Sequence, residues 1–277
     1  MRPKGPVNVL DRFGEERQRL LTLLSGLSPE QWQAPTPCPD WSVKDLTAHI
    51  LADDLGNLSG GRDGFDGPAN CDLSNWGELV AFINERNEEW VRATRRLSPQ
   101  VLIELLSSSG DRVLDHFRSL DPLALGAPVS WAGPQPAPRW LHVAREYTER
   151  WLHQQQVREA VGAPGLFERR LFAPVLDTFV HALPRTYSEV SAPEGAHVRV
   201  VISGDAGGAW SLVHHEGAWR LFEEIAAEAT AEVALDEDTA WRLFTKGISR
   251  GAARKRMRRS GDERLALVAL DTVAIIA

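Results

Sequence analysis

The chain has 277 residues, 43% hydrophobic and 25% charged, with a formal net charge of −7. That balance suits one large or two ordinary globular domains with a buried core, and gives no overall positive field for nucleic acid. Two cysteines, Cys38 and Cys71, exclude a disulfide framework or a four-cysteine zinc site as the organising principle.

The opening Met-Arg-Pro-Lys-Gly-Pro has no apolar stretch behind it, so it does not read as a secretory signal. No segment reaches the ~18 apolar residues of a membrane span, and the expected location is the cytoplasm. Leu10, Phe13, Leu20, Leu21 and Leu24 share one face and predict a helix from Val9 to Leu24. Pro29, Pro35, Pro37 and Pro39 keep Ser28 to Asp40 from being helical throughout.

Ser42 then offers an N-cap, with Asp45 at the capping-box position and Trp41 placed to staple onto Leu46. The helix that starts there carries His49 and is expected to end at Gly60-Gly61, followed by a turn-rich loop to Asn75. Two helices follow, Trp76 to Leu97 and Pro99 to Leu120. A second loop, Asp121 to Pro138, leads into a helix from Arg139 to Val161, closed by Gly162 and Pro164. Helices joined this way predict an antiparallel bundle, whose interior is where facing helices build metal sites.

Beyond residue 165 the pattern changes. Phe167 to Leu183 still reads as a helix, and alternation then marks strands at His197–Ser203, Ala209–His214, Trp219–Glu223 and Ala231–Leu235. Gly204-Asp-Ala-Gly-Gly208 is a hairpin turn; no Lys-Ser/Thr follows to make it a phosphate loop. Helical patterns run from Asp238 to Lys246 and Ser249 to Arg259, and the apolar run Leu265 to Ile276 reads as one or two strands. The expected class is α+β in two domains: a helical bundle over residues 1–165 and a small α+β domain over 166–277, entered by a linker helix at about 166–184.

Glu149 and His153, at i and i+4, lie on one helical face, and His49 supplies an imidazole from another helix. Three N/O ligands with a fourth position open is the arrangement of a catalytic Zn2+ site. His142 and Glu146 repeat the spacing on the same helix, so spacing alone does not choose between the pairs. Glu146 also suits a supporting role, orienting a ligating His153 through its other ring nitrogen. The bland readings are a Glu–His pair on a solvated face and a core histidine bonded to a carbonyl.

The run Thr36-Pro-Cys-Pro-Asp-Trp-Ser-Val-Lys-Asp-Leu-Thr-Ala-His49 resembles a signature of the DinB-like, mycothiol-dependent maleylpyruvate isomerase family. Glu149-Arg-Trp-Leu-His-Gln-Gln-Gln-Val-Arg158 is similar to its second signature, and the last hundred residues resemble its sterol-carrier-like C-terminal domain. The resemblance implies a DinB-like four-helix bundle with His49, Glu149 and His153 holding Zn2+ or another divalent metal. It also implies a low-molecular-weight thiol cofactor, mycothiol or bacillithiol, and a small-molecule electrophile or thiol adduct as partner. In the isomerase, the thiol adds to the cis double bond, the new single bond rotates, and elimination returns the thiol and the trans isomer. An S-transferase on small electrophiles is the variant reading.

The family also draws a cationic residue from its C-terminal domain, for which Arg242, Lys246 and Arg250 are the candidates here. From a different class, the competing expectation is a non-enzymatic two-domain protein that binds an apolar ligand or partner through its C-terminal domain. Cys38, between two prolines, reads as a small side chain that fits a fixed turn. Cys71 receives no role. The basic run Arg250 to Arg259 has no interleaved aromatics and reads as a solvated face, with neither nucleic acid nor membrane as partner.

Overall fold

The computed structural model describes residues 1–65 and 75–275. Cys71 and most of the loop expected before Asn75 lie outside them. The chain divides into two compact units. A helical unit contains Val9–Pro122 and Glu146–Leu166; a sheet unit contains Met1–Asn8, Leu123–Arg145 and Phe167–Ile276.

The helical unit is built from α1 (Phe13–Ser25), α2 (Pro29–Trp32), α3 (Val43–Gly56), α4 (Trp76–Thr94), α5 (Pro99–Ser119) and the later turns of α6 (Arg139–Val161). Helix α1 starts later than its apolar pattern suggests, because Arg12 N closes a turn onto Val9 O at 2.9 Å. Inside the proline-rich loop, Ser28 and Gln31 form a capping box that starts the single turn of α2 and buries Trp32. Helix α3 begins as expected: Ser42 Oγ accepts from Asp45 N, and Asp45 Oδ2 accepts from Ser42 N. It does not run unchanged to the glycine pair, since Asn57–Arg62 widens into a π-helical turn. Leu20, Leu24, Trp32, Val43, Leu46, Ile50, Leu102, Leu106 and Val157 form the core.

Gly110 sits inside α5, where glycine costs about 1 kcal/mol relative to alanine. The Arg17 side chain explains it: a Cβ at 110 would meet the Arg17 guanidinium at 3.1–3.2 Å. Sequence periodicity cannot show that requirement, because Arg17 reads as a surface charge.

In the sheet unit, α7 (Arg169–Phe179) passes through a 3-10 turn at Val180–Ala182 into α8 (Leu183–Thr186). One helix was expected there; Pro174 lies inside α7 and Pro184 in the first turn of α8, each without an N–H to donate. Strands β1 (His197–Ser203), β2 (Gly208–His215), β3 (Ala218–Glu223) and β4 (Ala231–Asp236) lie within a residue of the four expected strands. Helix α9 (Glu237–Phe244) and helix α10 (Arg250–Arg256) come next, then β5 (Arg258–Gly261) and α11 (Glu263–Val268). The order in the sheet is β3-β2-β1-β4-β5, with β1 and β4 parallel and the other neighbours antiparallel.

Two expectations near the C-terminus are overturned. The predicted helix to Arg259 stops at Arg256, because Met257 turns extended and residues 258–261 pair with β4. The apolar run read as strands is instead α11 and a 3-10 turn at Ala269–Asp271, started by Asp262, whose Oδ1 accepts from Leu265 N at 3.1 Å. At the opposite edge of the sheet, Lys4 N donates to Leu221 O and Glu223 N to Arg2 O, so the first residues pair along β3.

The Gly204–Gly208 segment is the hairpin turn between β1 and β2, as read from sequence. A Cβ at Gly207 would run into the carbonyl oxygen of Ile202. Gly207→Ala is expected to destabilise the protein by about 1–3 kcal/mol, read from urea denaturation; an unchanged midpoint would mean the turn yields at no cost.

Candidate metal centre

His49 projects from the second turn of α3, and Glu149 and His153 from successive turns of α6, all within the helical unit. The two imidazoles meet edge to face with ring centroids 4.7 Å apart. Trp41, in the residue before the α3 cap, lies 5.1 Å from the His49 ring, and Trp90 Nε1 donates to the preceding carbonyl, Ala48 O, at 2.8 Å. The side chains of His49, His153 and Glu149 are 10%, 12% and 17% exposed, so the cluster is enclosed without being sealed.

Each helix adds a carboxylate one turn from its imidazole. Glu149 Oε2 is 3.7 Å from His153 Nε2, and Asp53 Oδ2 is 3.8 Å from His49 Nε2. At these separations neither pair is hydrogen-bonded. Among the described residues, no three His, Cys, Asp or Glu side chains form a metal-holding group as they stand.

The two histidines differ in their partners. His153 Nδ1 donates to Gln156 Oε1 at 2.9 Å, which fixes the tautomer and leaves Nε2 with its lone pair on the Glu149 side. Gln156 Oε1 also accepts from Cys38 Sγ at 3.3 Å. Burial disfavours the charged form of His153, but Cys38, Asp53 and Gln156 together raise its pKa. His49 has no such support: its Nδ1 is buried with no partner. Burial pushes its pKa down to about 4, and the Asp53 charge opposes that only in part. It is therefore a neutral imidazole at pH 7, the form that a metal takes.

Behind this cluster lies an ion network that the sequence reading did not find. Asp54 accepts from Arg17 Nη1 and Nη2 at 2.7 and 2.9 Å, from Arg150 Nη2 at 2.8 Å and from Ser109 Oγ at 2.6 Å. Arg150 Nη1 also donates to Glu146 Oε2 at 2.8 Å, and Asn57 Nδ2 to the same oxygen at 2.7 Å. Asp54, Arg150 and Glu146 have side-chain exposures of 0%, 1% and 4%. Because Asp54 adjoins Asp53 and Arg150 adjoins Glu149, the network locks together the turns of α3 and α6 that carry the cluster.

Glu146 Oε2 accepts from Arg150 and Asn57, while His153 Nδ1 is paired with Gln156 Oε1. His142 belongs to the segment of α6 assigned to the sheet unit. Sequence reasoning also passed over Asp53 and Gln156, although their spacings from His49 and His153, four and three residues, were visible.

The three basic candidates all lie in the sheet unit. Arg242 Nε donates to Asp238 Oδ1 at 2.8 Å, and its guanidinium stacks 4.3 Å from the Trp241 ring. Arg250 Nε donates to Asp271 Oδ1 at 2.6 Å. Lys246 is exposed in the turn after α9, with φ of 60°. Along the rest of the basic run, Arg254 and Arg259 pair with Glu263 at 3.6 and 2.6 Å and Arg256 with Asp238 at 3.7 Å, as on a solvated face. No helix among the described residues is long and apolar enough to cross a membrane.

Residues 13–158, more than half of the chain, match the family model described as the mycothiol maleylpyruvate isomerase N-terminal domain. Among solved structures, a mycothiol-dependent maleylpyruvate isomerase matches at 14% identity and a TM-score of 0.51, covering 84% of this chain and 86% of its own. A His-to-Ala mutant of the mycothiol-dependent maleylpyruvate isomerase matches at 13% identity with the same coverage and score. At such identities the likeness is one of fold. No curated protein matches the chain.

Proposed function

Given that the chain belongs to the mycothiol maleylpyruvate isomerase N-terminal domain family, we propose that it is a divalent-metal enzyme using a low-molecular-weight thiol. The reading is a maleylpyruvate-isomerase-like cis–trans isomerase or a thiol S-transferase on small electrophiles. His49, Glu149 and His153 are its metal ligands, with Zn2+ the leading ion and mycothiol or bacillithiol the thiol. The observation that carries it is His49: a neutral, buried imidazole whose Nδ1 has no hydrogen-bond partner among the described residues, set 4.7 Å from a second imidazole. A buried polar atom without a partner costs about 1–3 kcal/mol, and a ligand that takes the lone pair removes that cost.

Two imidazoles and a carboxylate suit Zn2+, and the donors must draw together from the separations seen to reach it. When bound, the ion supplies the positive charge that keeps a thiol deprotonated at neutral pH. The protein's own part is to hold His153 through Gln156, to wall His49 with Trp41, and to limit water at the cluster. Arg242, Lys246 and Arg250 are the proposed partners for the carboxylates of an acidic substrate. Lys246 is not tied to a neighbouring acid in the way Arg242 and Arg250 are.

Protein purified without chelator is expected to contain one metal per chain and to turn over a small unsaturated acid or electrophile only when mycothiol or bacillithiol is added. Metal-free protein with the same thiol-dependent rate would sink the proposal. Gln156→Leu is expected to weaken metal binding roughly 10–100-fold, because the His153 ring loses its anchor. Competition with a chromophoric chelator measures this, and an unaltered affinity would remove Gln156 from the site.

A further inference from the structure

Helices α1 and α5 enclose a cavity of about 150 Å3 within the helical unit. Exposed Gln18, Ser107 and Asp111 stand at its rim, and Phe13, Leu21 and Leu114 give it apolar walls. Glu16 and Arg17 of α1 and Arg150 of α6 line it as well. None of His49, Glu149 and His153 does, so this is a different place from the histidine cluster.

The two arginines share one pattern. Arg17 bonds through both Nη nitrogens, to Asp54 and the Leu106 carbonyl, and Arg150 through both of its own, to Asp54 and Glu146. In each the remaining nitrogen, Nε, is buried with no hydrogen-bond partner among the described residues. Glu16 is fully buried; its Oε1 accepts from Gln154 Nε2 at 2.5 Å, and its Oε2 has no partner. A buried donor without an acceptor is destabilising, and here three unpartnered polar atoms belong to the lining of one cavity.

The charges around it are already balanced. Asp54 and Glu146 offset the two guanidiniums, and burial raises the pKa of Glu16 against the pull of Arg17, Gln154 and Arg150, favouring the neutral acid. An ionic ligand would lose its hydration and find no counter-charge. A neutral acceptor supplies what the Nε–H groups lack, and the apolar walls suit a short hydrocarbon body. We propose that the α1–α5 cavity binds a small uncharged carbonyl compound, an amide or ketone of about six heavy atoms, whose oxygen accepts from a spare guanidinium N–H. An occupant held by Arg150 bears on the same guanidinium that joins Asp54 of α3 to Glu146 of α6.

The test uses the full chain with chelator present, so that no probe is held through a metal. The probes are butanamide, 2-pentanone, butanoate and butanamidinium, closely similar in size and differing in charge. Saturation-transfer NMR reads their binding. Butanamide and 2-pentanone are expected to bind in roughly the millimolar range, and the two ions about tenfold or more weakly. Ser107→Trp and Gln18→Trp, each placing an indole at the rim, are expected to abolish the saturable signal. Their melting temperatures, expected to match the parent, separate a blocked cavity from a lost fold. Tighter binding of butanoate would make this an anion site, and tighter binding of butanamidinium a cation site held by Glu16; either overturns the proposal. Probe binding that survives both rim variants overturns it too, as does the absence of saturable binding by any probe, which would leave the cavity to solvent.

Discussion

Asp54→Ala is expected to lower the stability of the protein by about 3–5 kcal/mol, the usual cost of removing one partner from a buried ion pair. The side chain is fully buried and receives three guanidinium nitrogens and one hydroxyl. Neither arginine can shed its proton, so both charges stay. Arg150 would keep only Glu146, and Arg17 would keep the Leu106 carbonyl. Burial works against the Asp54 charge, yet Arg17 and Arg150 outweigh it and hold the carboxyl below its ordinary range.

The folded pKa is thus the lower one. The stabilisation is complete above the unfolded value near 3.8 and is lost as pH falls through the folded value. Urea denaturation followed by circular dichroism at neutral pH measures the loss. A change under about 1 kcal/mol would mean that the network behaves like a surface salt bridge.

The double variant His49→Ala, His153→Ala is expected to do the opposite: to abolish metal binding while leaving the stripped fold nearly intact. His49 Nδ1 has no hydrogen bond to lose, and His153 loses one, to Gln156. A typical cost of about 1 kcal/mol per substitution is therefore expected for the metal-free protein. In the parent, Zn2+ at a hundred times its dissociation constant would add about 2.7 kcal/mol, seen as a raised melting temperature. The double variant should show no such rise and no metal by elemental analysis. Stoichiometric metal in the double variant would end the assignment of this cluster.

Much of the fold is written locally. Ser42 and Asp45 announce α3 because a capping box needs only four adjacent residues, and both are found bonded as expected. Strands β1, β3 and β4 alternate in burial over most of their length, whereas Trp210, Ser211, Leu212 and Val213 of β2 are buried in succession. Strand β5 is exposed along its whole length, so it carries no alternation to read. The final apolar run reads as one or two strands in sequence, and Asp262 makes its first part a helix by capping it. At the candidate site, His49, Glu149 and His153 were visible as types at spacings. Asp54 and Arg150 were not, because charged residues look alike in sequence whether they face water or each other.

The pairing of Arg2 and Lys4 with β3 sets an order of events for the growing chain. Arg2 and Lys4 cannot find their sheet neighbours until Leu221 and Glu223 exist, more than two hundred residues later. Helices α1 to α5 lie within 114 consecutive residues and can begin to pack early, joined by α6 once residues 146–166 are made, whereas residues 2–4 wait. A fragment cut to begin at residue 166 would lack that segment altogether. It would present the outer edge of β3 bare, a template for pairing with a second copy and for aggregation.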